Sequence, residues 1–359
     1  MVMPHHTIRP ALISAITALI GVVTLTGCTS DAPGSSESDG SANSVILSMD
    51  LAMGLTSGNA NGTLATPSDY DDDWALALIT DQPDVDIAGV VVTMGNGPLG
   101  PEMAVAQQTL DRLDVDAPLI PGAASWLPVV ATLESSGADL SATCVNDGVE
   151  FMAKELRETD DLTIIATGPL TDVACLALAF PDEAANITEV IALIGSAPDG
   201  LTYAGKPVRD FNFSMDPRAL SVIVNETTIP FVAVTFEASS STAVSTDVVG
   251  TLAADASPTA QYFGRASQAY AAWWGSIFGP TKPVWDASAI WRYLHPEDFK
   301  CEPARFELKL GAPNQPTEDT HDWVVPDPTS DGRVQACMSY TDPSAIDRMN
   351  AAVLAAIRR

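Results

Sequence analysis

Short apolar runs alternate with longer stretches of helical period along most of this chain. Residues 44–49 form an apolar run that ends on Asp50, and similar runs recur at 87–94, 162–166, 190–194 and 230–235. Between them, apolar positions at helical spacing predict helices over 74–80, 102–113, 148–157, 171–180 and 216–224. Strands that are apolar on both faces and alternate with helices predict an α/β fold, an open, mainly parallel sheet with helices on both faces. Residues 311–333 are rich in Pro, Asp and Thr and are expected to be an irregular surface excursion.

The first 43 residues do not fit that alternation. Arg9, an apolar stretch over 11–25 and the small residues before Cys28 make a secretory signal. The apolar stretch is short for a spanning helix, which needs about 20 residues. Leu25-Thr26-Gly27-Cys28 resembles a bacterial lipobox, which implies cleavage before Cys28 and lipidation of that cysteine. The following Ser, Gly, Asp and Ala residues bury almost nothing and suit a flexible tether. The chain thus divides into a lipoprotein signal peptide (1–27), a tether (28–44) and one large domain (45–359). The implied location is outside the cell membrane, held only by the lipid.

The net charge of -29 and the sequence pI near 4.1 oppose nucleic acid as a partner, because phosphates would be repelled. Cys144, Cys175, Cys301 and Cys337 remain after Cys28. An even number in an exported chain predicts disulfides, with Cys301 and Cys337 the favoured pair and the full connectivity left open.

The chemistry concentrates at the ends of the predicted strands. Asp50 follows the first strand, and Asp69, Asp71, Asp72 and Asp73 precede or open the first helix. Crowded carboxylates repel unless a cation joins them, and Ca²⁺ takes roughly six to eight oxygens. An acidic helix start is the plainer alternative. Thr93, Asn96 and Thr167 also fall at strand ends, where ligands bind in open α/β sheets.

Five ordered blocks resemble the inosine-uridine-preferring nucleoside hydrolases. They are Asp50 with Asp71-Asp72-Asp73-Trp74, then Gly89 to Asn96, then Ala166-Thr-Gly-Pro-Leu-Thr-Asp172, then Arg209 to Pro217, then Pro283-Val-Trp-Asp286. The resemblance implies a Ca²⁺ site made by Asp50, Asp72, Asp286 and the carbonyl of Thr167. It implies ribose contacts from Asp71, Asp210 and Asn212, with Asn96 beside the reacting water or the ribose, and Asp50 as the base. Asp286 also stands where it would cap the helix that follows. The implied substrate is a small nucleoside or other ribosyl compound, a purine type favoured, and the oligomeric state stays open, a homo-oligomer included.

The chain departs from the family pattern at several points. Residues 51–70 form an unusually long insertion that would cover the site, Ser48 replaces an Asp, and Ala204 stands where the family has an Asn. Trp285 occupies the position where many members place a His that protonates the leaving base. Stacking on Trp285, with Trp273, Trp274 or Tyr203 as a second ring, is the implied substitute; core packing is the alternative for Trp273 and Trp274. His295 and His321 match no block. A hydrolase of another N-ribosyl or modified sugar, or a non-catalytic binding lipoprotein, are the competing readings.

Overall fold

Strand β1 (Asn43–Met49) shows why the runs are continuously apolar. Val45, Leu47 and Met49 enter one hydrophobic core and Ile46 enters another on the opposite face. Its parallel neighbours are β2 (Val85–Val92) and β4 (Thr163–Ala166). With β3 (Leu119–Pro121), β5 (Glu189–Leu193), β6 (Phe231–Val234), β7 (Phe299–Lys309), β8 (His321–Pro326) and β9 (Val334–Tyr340), they form a nine-stranded sheet in the order β8-β7-β9-β6-β5-β4-β1-β2-β3. Only β7 runs against its neighbours. The computed structural model describes residues 43–57, 66–127, 143–311 and 320–359. The signal, Cys28 and most of the tether lie outside the described residues, as does the middle of the 51–70 insertion.

Helices cover both faces. On one side lie α1 (Asp71–Thr80), α2 (Leu99–Leu113), α7 (Pro258–Phe278), α8 (Ala287–Leu294) and α9 (Pro343–Ile357). On the other lie α3 (Asp147–Glu158), α4 (Thr171–Ala179) and α6 (Pro217–Glu226), with the short α5 (Phe211–Met215) at the sheet's rim. The helices expected at 74–80, 102–113, 148–157, 171–180 and 216–224 are α1, α2, α3, α4 and α6; α1, α2 and α3 start earlier because Asp71 to Asp73, Pro101 and Asp147 fill their first turns, and α6 starts one residue later, at Pro217.

The expected irregular region 311–333 is corrected by β8, whose residues His321–Pro326 pair with Ala304–Lys309 of β7. Its residues alternate between buried and half-buried, so the strand shows no continuous apolar run. Helix α7 was not foreseen either, because Ala, Gly, Ser and aromatic residues fill it without a clear polar face.

Cys301 and Cys337 are bonded across the β7–β9 ladder, as expected. A second bond joins Cys144 to Cys175, at a sequence separation of 31 residues. Closing a loop of that size is worth roughly 3.7 kcal/mol by chain entropy.

Candidate active site

A cavity of about 450 Å³ opens at the carboxyl ends of β1, β2, β4 and β5. That size suits a small molecule. Asp50, Asp71, Asp72, Asn96, Thr167, Asn212, Trp285 and Asp286 all line it. Four strand ends and the starts of α1, α5 and α8 therefore converge on one space.

Asp50 is fixed by the loop after β2, whose Asn96 N–H donates to Asp50 Oδ2 at 2.9 Å. That approach requires Gly95, because a Cβ there would stand 1.9 Å from Asp50 Oδ2. Asp72 accepts from the Thr167 hydroxyl at 2.6 Å and from the Asn96 amide at 3.3 Å. Asp71 Oδ2 accepts from the Trp285 backbone N–H at 3.0 Å. The Asn212 amide donates to the carbonyls of Thr167 and Leu193, at 2.6 and 3.0 Å. Two carbonyl partners fix which end is nitrogen and leave its oxygen for a ligand hydroxyl.

Asp73 stands apart from this group. Its carboxyl receives the Met53 N–H and contacts the Thr109 hydroxyl at 2.5 Å, deep beneath the cavity. Burial raises it from 3.8 to about 7. The folded state thus keeps a proton that the unfolded chain loses, so stability falls as pH climbs from about 4 to 7. Asp73→Asn keeps both hydrogen bonds, since its amide can donate to Thr109. Thermal unfolding in chelator is expected to show equal stability for variant and wild type at pH 4, and a gain of about 2–4 kcal/mol for the variant at pH 8. A constant difference across that range would refute the assignment.

Asp286 sits at the N-cap position of α8 but makes no side-chain cap bond, so its carboxylate serves the cavity and not the helix. Asp210 behaves in the opposite way. It does not line the cavity, among the described residues. Its two oxygens accept from the N–H groups of Gly195 (2.6 Å) and Phe213 (2.9 Å), capping α5, and buried Asp322 lies against it. One methylene fewer than Glu lets this side chain fold back onto its own helix start. Ala204, at φ +51°, occupies the exposed turn between Thr202–Tyr203 and Lys206–Pro207 rather than the cavity.

The other wall is aromatic. Trp285, Trp273, Trp274, Tyr270, Phe278, Phe236 and Phe211 line it. Trp274 stacks on Phe278 at 4.1 Å and meets Trp285 edge-on at 5.1 Å. Trp274 is both a core residue and part of the wall, so packing and ligand roles coincide. Tyr203 stands behind, 5.3 Å from Trp274. No histidine lines the cavity among the described residues: His295 packs on Trp291 and His321 on Trp323. The base of the 51–70 insertion is a hairpin pairing Thr56–Ser57 with Thr66–Pro67, and Thr66, Pro67 and Ser68 reach the rim.

Burial and mutual repulsion push Asp50 and Asp286 well above the usual carboxylate range, while burial raises Asp72 against the pull of Thr167. Glu102, behind Asn96, is pushed up to about 9, chiefly by burial. The described acids do not stand in a preassembled metal cluster. Their chemistry nonetheless suits a hard cation: three carboxylates and a carbonyl share one wall, and Asp50 Oδ1 is buried without a hydrogen-bond partner.

Fold and site together define an α/β protein with an acidic, sugar-sized floor and an aromatic wall at the carboxyl rim of its sheet. The family model for inosine-uridine preferring nucleoside hydrolases matches residues 67–339, and the chain belongs to that family. Among curated proteins it is similar to the non-specific ribonucleoside hydrolase RihC of Salmonella enteritidis, 27% identical over 45% of this chain and 56% of that protein. The pyrimidine-specific ribonucleoside hydrolase RihA of Salmonella paratyphi A is 30% identical over 41% of this chain and 40% of that protein. The chain thus spans about half the length of the curated relatives it matches. A solved purine-preferring ribonucleoside hydrolase from Gardnerella vaginalis shares the fold, with a TM-score of 0.67 at 14% identity over 88% of this chain and 99% of that one. A plant nucleoside hydrolase gives 0.65 at 15% identity, with the same coverage.

Sequence reasoning missed Tyr270, Phe278 and Phe236, which carry no motif of their own. It also missed Lys282 and its pairing with Asp69. Only the contact of two chain segments some two hundred residues apart makes them visible.

Proposed function

We propose that this protein hydrolyses the N-glycosidic bond of ribonucleosides to free base and ribose, with Ca²⁺ as cofactor and purine nucleosides favoured. The observation that carries this reading is the pairing, in one cavity, of a carboxylate floor with an aromatic wall. Asp50, Asp72, Asp286 and the Thr167 carbonyl would hold the ion. Bound there, Ca²⁺ would supply Lewis acidity toward a water molecule.

The chain's own groups do the rest. Asp50 accepts the proton of the attacking water, and Asn96, bonded to both Asp50 and Asp72, keeps the two carboxylates in register. Asp71 and the Asn212 oxygen receive sugar hydroxyls and orient the ring. The acidic floor stabilises the positive charge that develops on the sugar as the bond breaks. With no histidine on the wall among the described residues, the departing base leans on Trp285 and its neighbours, and a large purine covers more of that surface than a pyrimidine.

The second reading is hydrolysis of another N-ribosyl or modified sugar. It is favoured by Asp210, whose engagement with α5 removes one sugar contact expected from the family pattern. The lipobox at Cys28 and the two disulfides suit an exported, lipid-anchored enzyme outside a bacterial cell membrane.

The test is ribose release by the mature domain from a panel of purine and pyrimidine nucleosides, with Ca²⁺ and with chelator. Ca²⁺-dependent release, faster from purines, is the expected result. Ca²⁺ binding without release from any nucleoside would move the reading to a modified sugar or to binding alone.

A further inference from the structure

Beneath the floor lies a cation that belongs to the chain. Lys282 is wholly buried, in the short strand Thr281–Pro283. Its ammonium contacts Asp69 Oδ1 at 2.9 Å, Asp71 Oδ2 at 3.0 Å and the Pro283 carbonyl at 2.9 Å. These three acceptors use all three of its N–H groups. It also lies 4.5 Å from the ring centre of Trp285 and 4.8 Å from that of Tyr70. A lysine is almost never fully buried unless it is paired, so this one is held by a purpose-built set of partners. Burial opposes its charge, but Asp69 and Asp71 outweigh that and keep it protonated.

Its placement divides the acids. Asp69 and Asp71 face the ammonium, whereas Asp50, Asp72 and Asp286 have no such partner among the described ion pairs. The same Asp71 oxygen also takes the Trp285 N–H, so two donors fix how that carboxylate is turned. One ammonium therefore ties together the sugar-binding acid and the backbone and ring of the aromatic wall.

We propose that Lys282 is a positioning residue for substrate: it locks Asp71 and backs Trp285, setting the sugar and base sides of the cavity relative to each other. The inference rests on the sugar-binding reading of the cavity. It concerns this chain's own cation and not the divalent one, so its effects separate from those of metal binding.

The experiment compares wild type, Lys282→Met and Lys282→Gln in Ca²⁺. Calorimetry gives the affinities for D-ribose and for Ca²⁺, and initial rates give KM and kcat on the preferred nucleoside. Lys282→Met is expected to weaken ribose binding and raise KM at least tenfold. Its Ca²⁺ affinity stays within threefold, and kcat falls by less than KM rises. Lys282→Gln keeps a donor for Asp71 and loses less; it carries the test if the Met variant does not fold. Adding Asp69→Asn to Lys282→Met supplies an amide beside Asp71 and recovers part of the ribose affinity. Unchanged ribose binding overturns the proposal. So does loss of ribose and Ca²⁺ affinity by the same factor, the mark of a merely structural lysine. Wild type that binds ribose yet releases none from nucleosides overturns the hydrolase reading alone, and the ribose affinities still decide the role of Lys282. Wild type that binds no ribose overturns both.

Discussion

Replacing Asp72 with asparagine is expected to lower kcat/KM for ribose release by a factor on the order of 10³, with the fold intact. Asp72 is where three segments meet. It opens α1, accepts the hydroxyl of Thr167 at the end of β4, and accepts the amide of Asn96 from the loop after β2. Asparagine matches its shape, so the helix start survives. What changes is charge and donor count: an NH₂ group now faces Thr167 or Asn96, and one of the three carboxylates offered to a cation is gone. A loss of about 4 kcal/mol in transition-state stabilisation corresponds to that factor. Kinetics on the preferred nucleoside measure the loss. Calcium titration should show weakened binding, and thermal unfolding should show a Tm close to wild type. Activity within tenfold of wild type would place the chemistry elsewhere.

The parts of this fold legible in the sequence are those whose physics is local. β1 and β4 are buried on both faces, so their apolar runs are continuous and stand out. β7 alternates buried with exposed residues and includes Pro303, and β8 sits at the sheet edge with Asp322 buried and Pro326 at its end. Those patterns look like loop until the ladder is seen. The site follows the same division. Asp50, Asp71, Asp72, Asn96 and Thr167 sit in ordered blocks at strand ends, where topology alone gathers them. Asp210 belonged to such a block too, but its side-chain length decided its partners, and no block reveals that. Lys282 is a lone lysine between Thr281 and Pro283, with nothing local to mark it as buried.

Electrostatics explains why these residues had to be found together. Each acid of the floor, taken alone, would be costly at this depth. Lys282 offsets that cost for Asp69 and Asp71, whereas Asp50, Asp72 and Asp286 have no such partner among the described ion pairs and are pushed up by burial. In a chain of net charge -29, surface acids are commonplace and say little. Burial is what separates the functional acids from the solvated ones.

Trp285→Ala tests the opposite wall, and its expected signature differs from that of any floor residue. Asp71 is bonded to the backbone N–H of Trp285, which alanine retains, so the sugar side keeps its anchor. The side chain gives up its contacts with Trp274 and Phe236 and its bond to the Ser240 hydroxyl. A lost stacking partner is worth about 0.5–1.5 kcal/mol beyond the area it buries, and that area adds a further ~1–2 kcal/mol. Together these give a fall of about 10²-fold in kcat/KM for purine nucleosides. Free D-ribose should bind as it does to wild type, since it makes no use of the indole. Trp285→Phe should recover most of the rate, because a smaller ring still offers a face. The measurement is a pair of numbers for each variant, ribose affinity and nucleoside kcat/KM. Should ribose affinity drop with the rate in Trp285→Ala, the wall and the floor would be one mechanical unit, and base stacking would not be the job of this tryptophan.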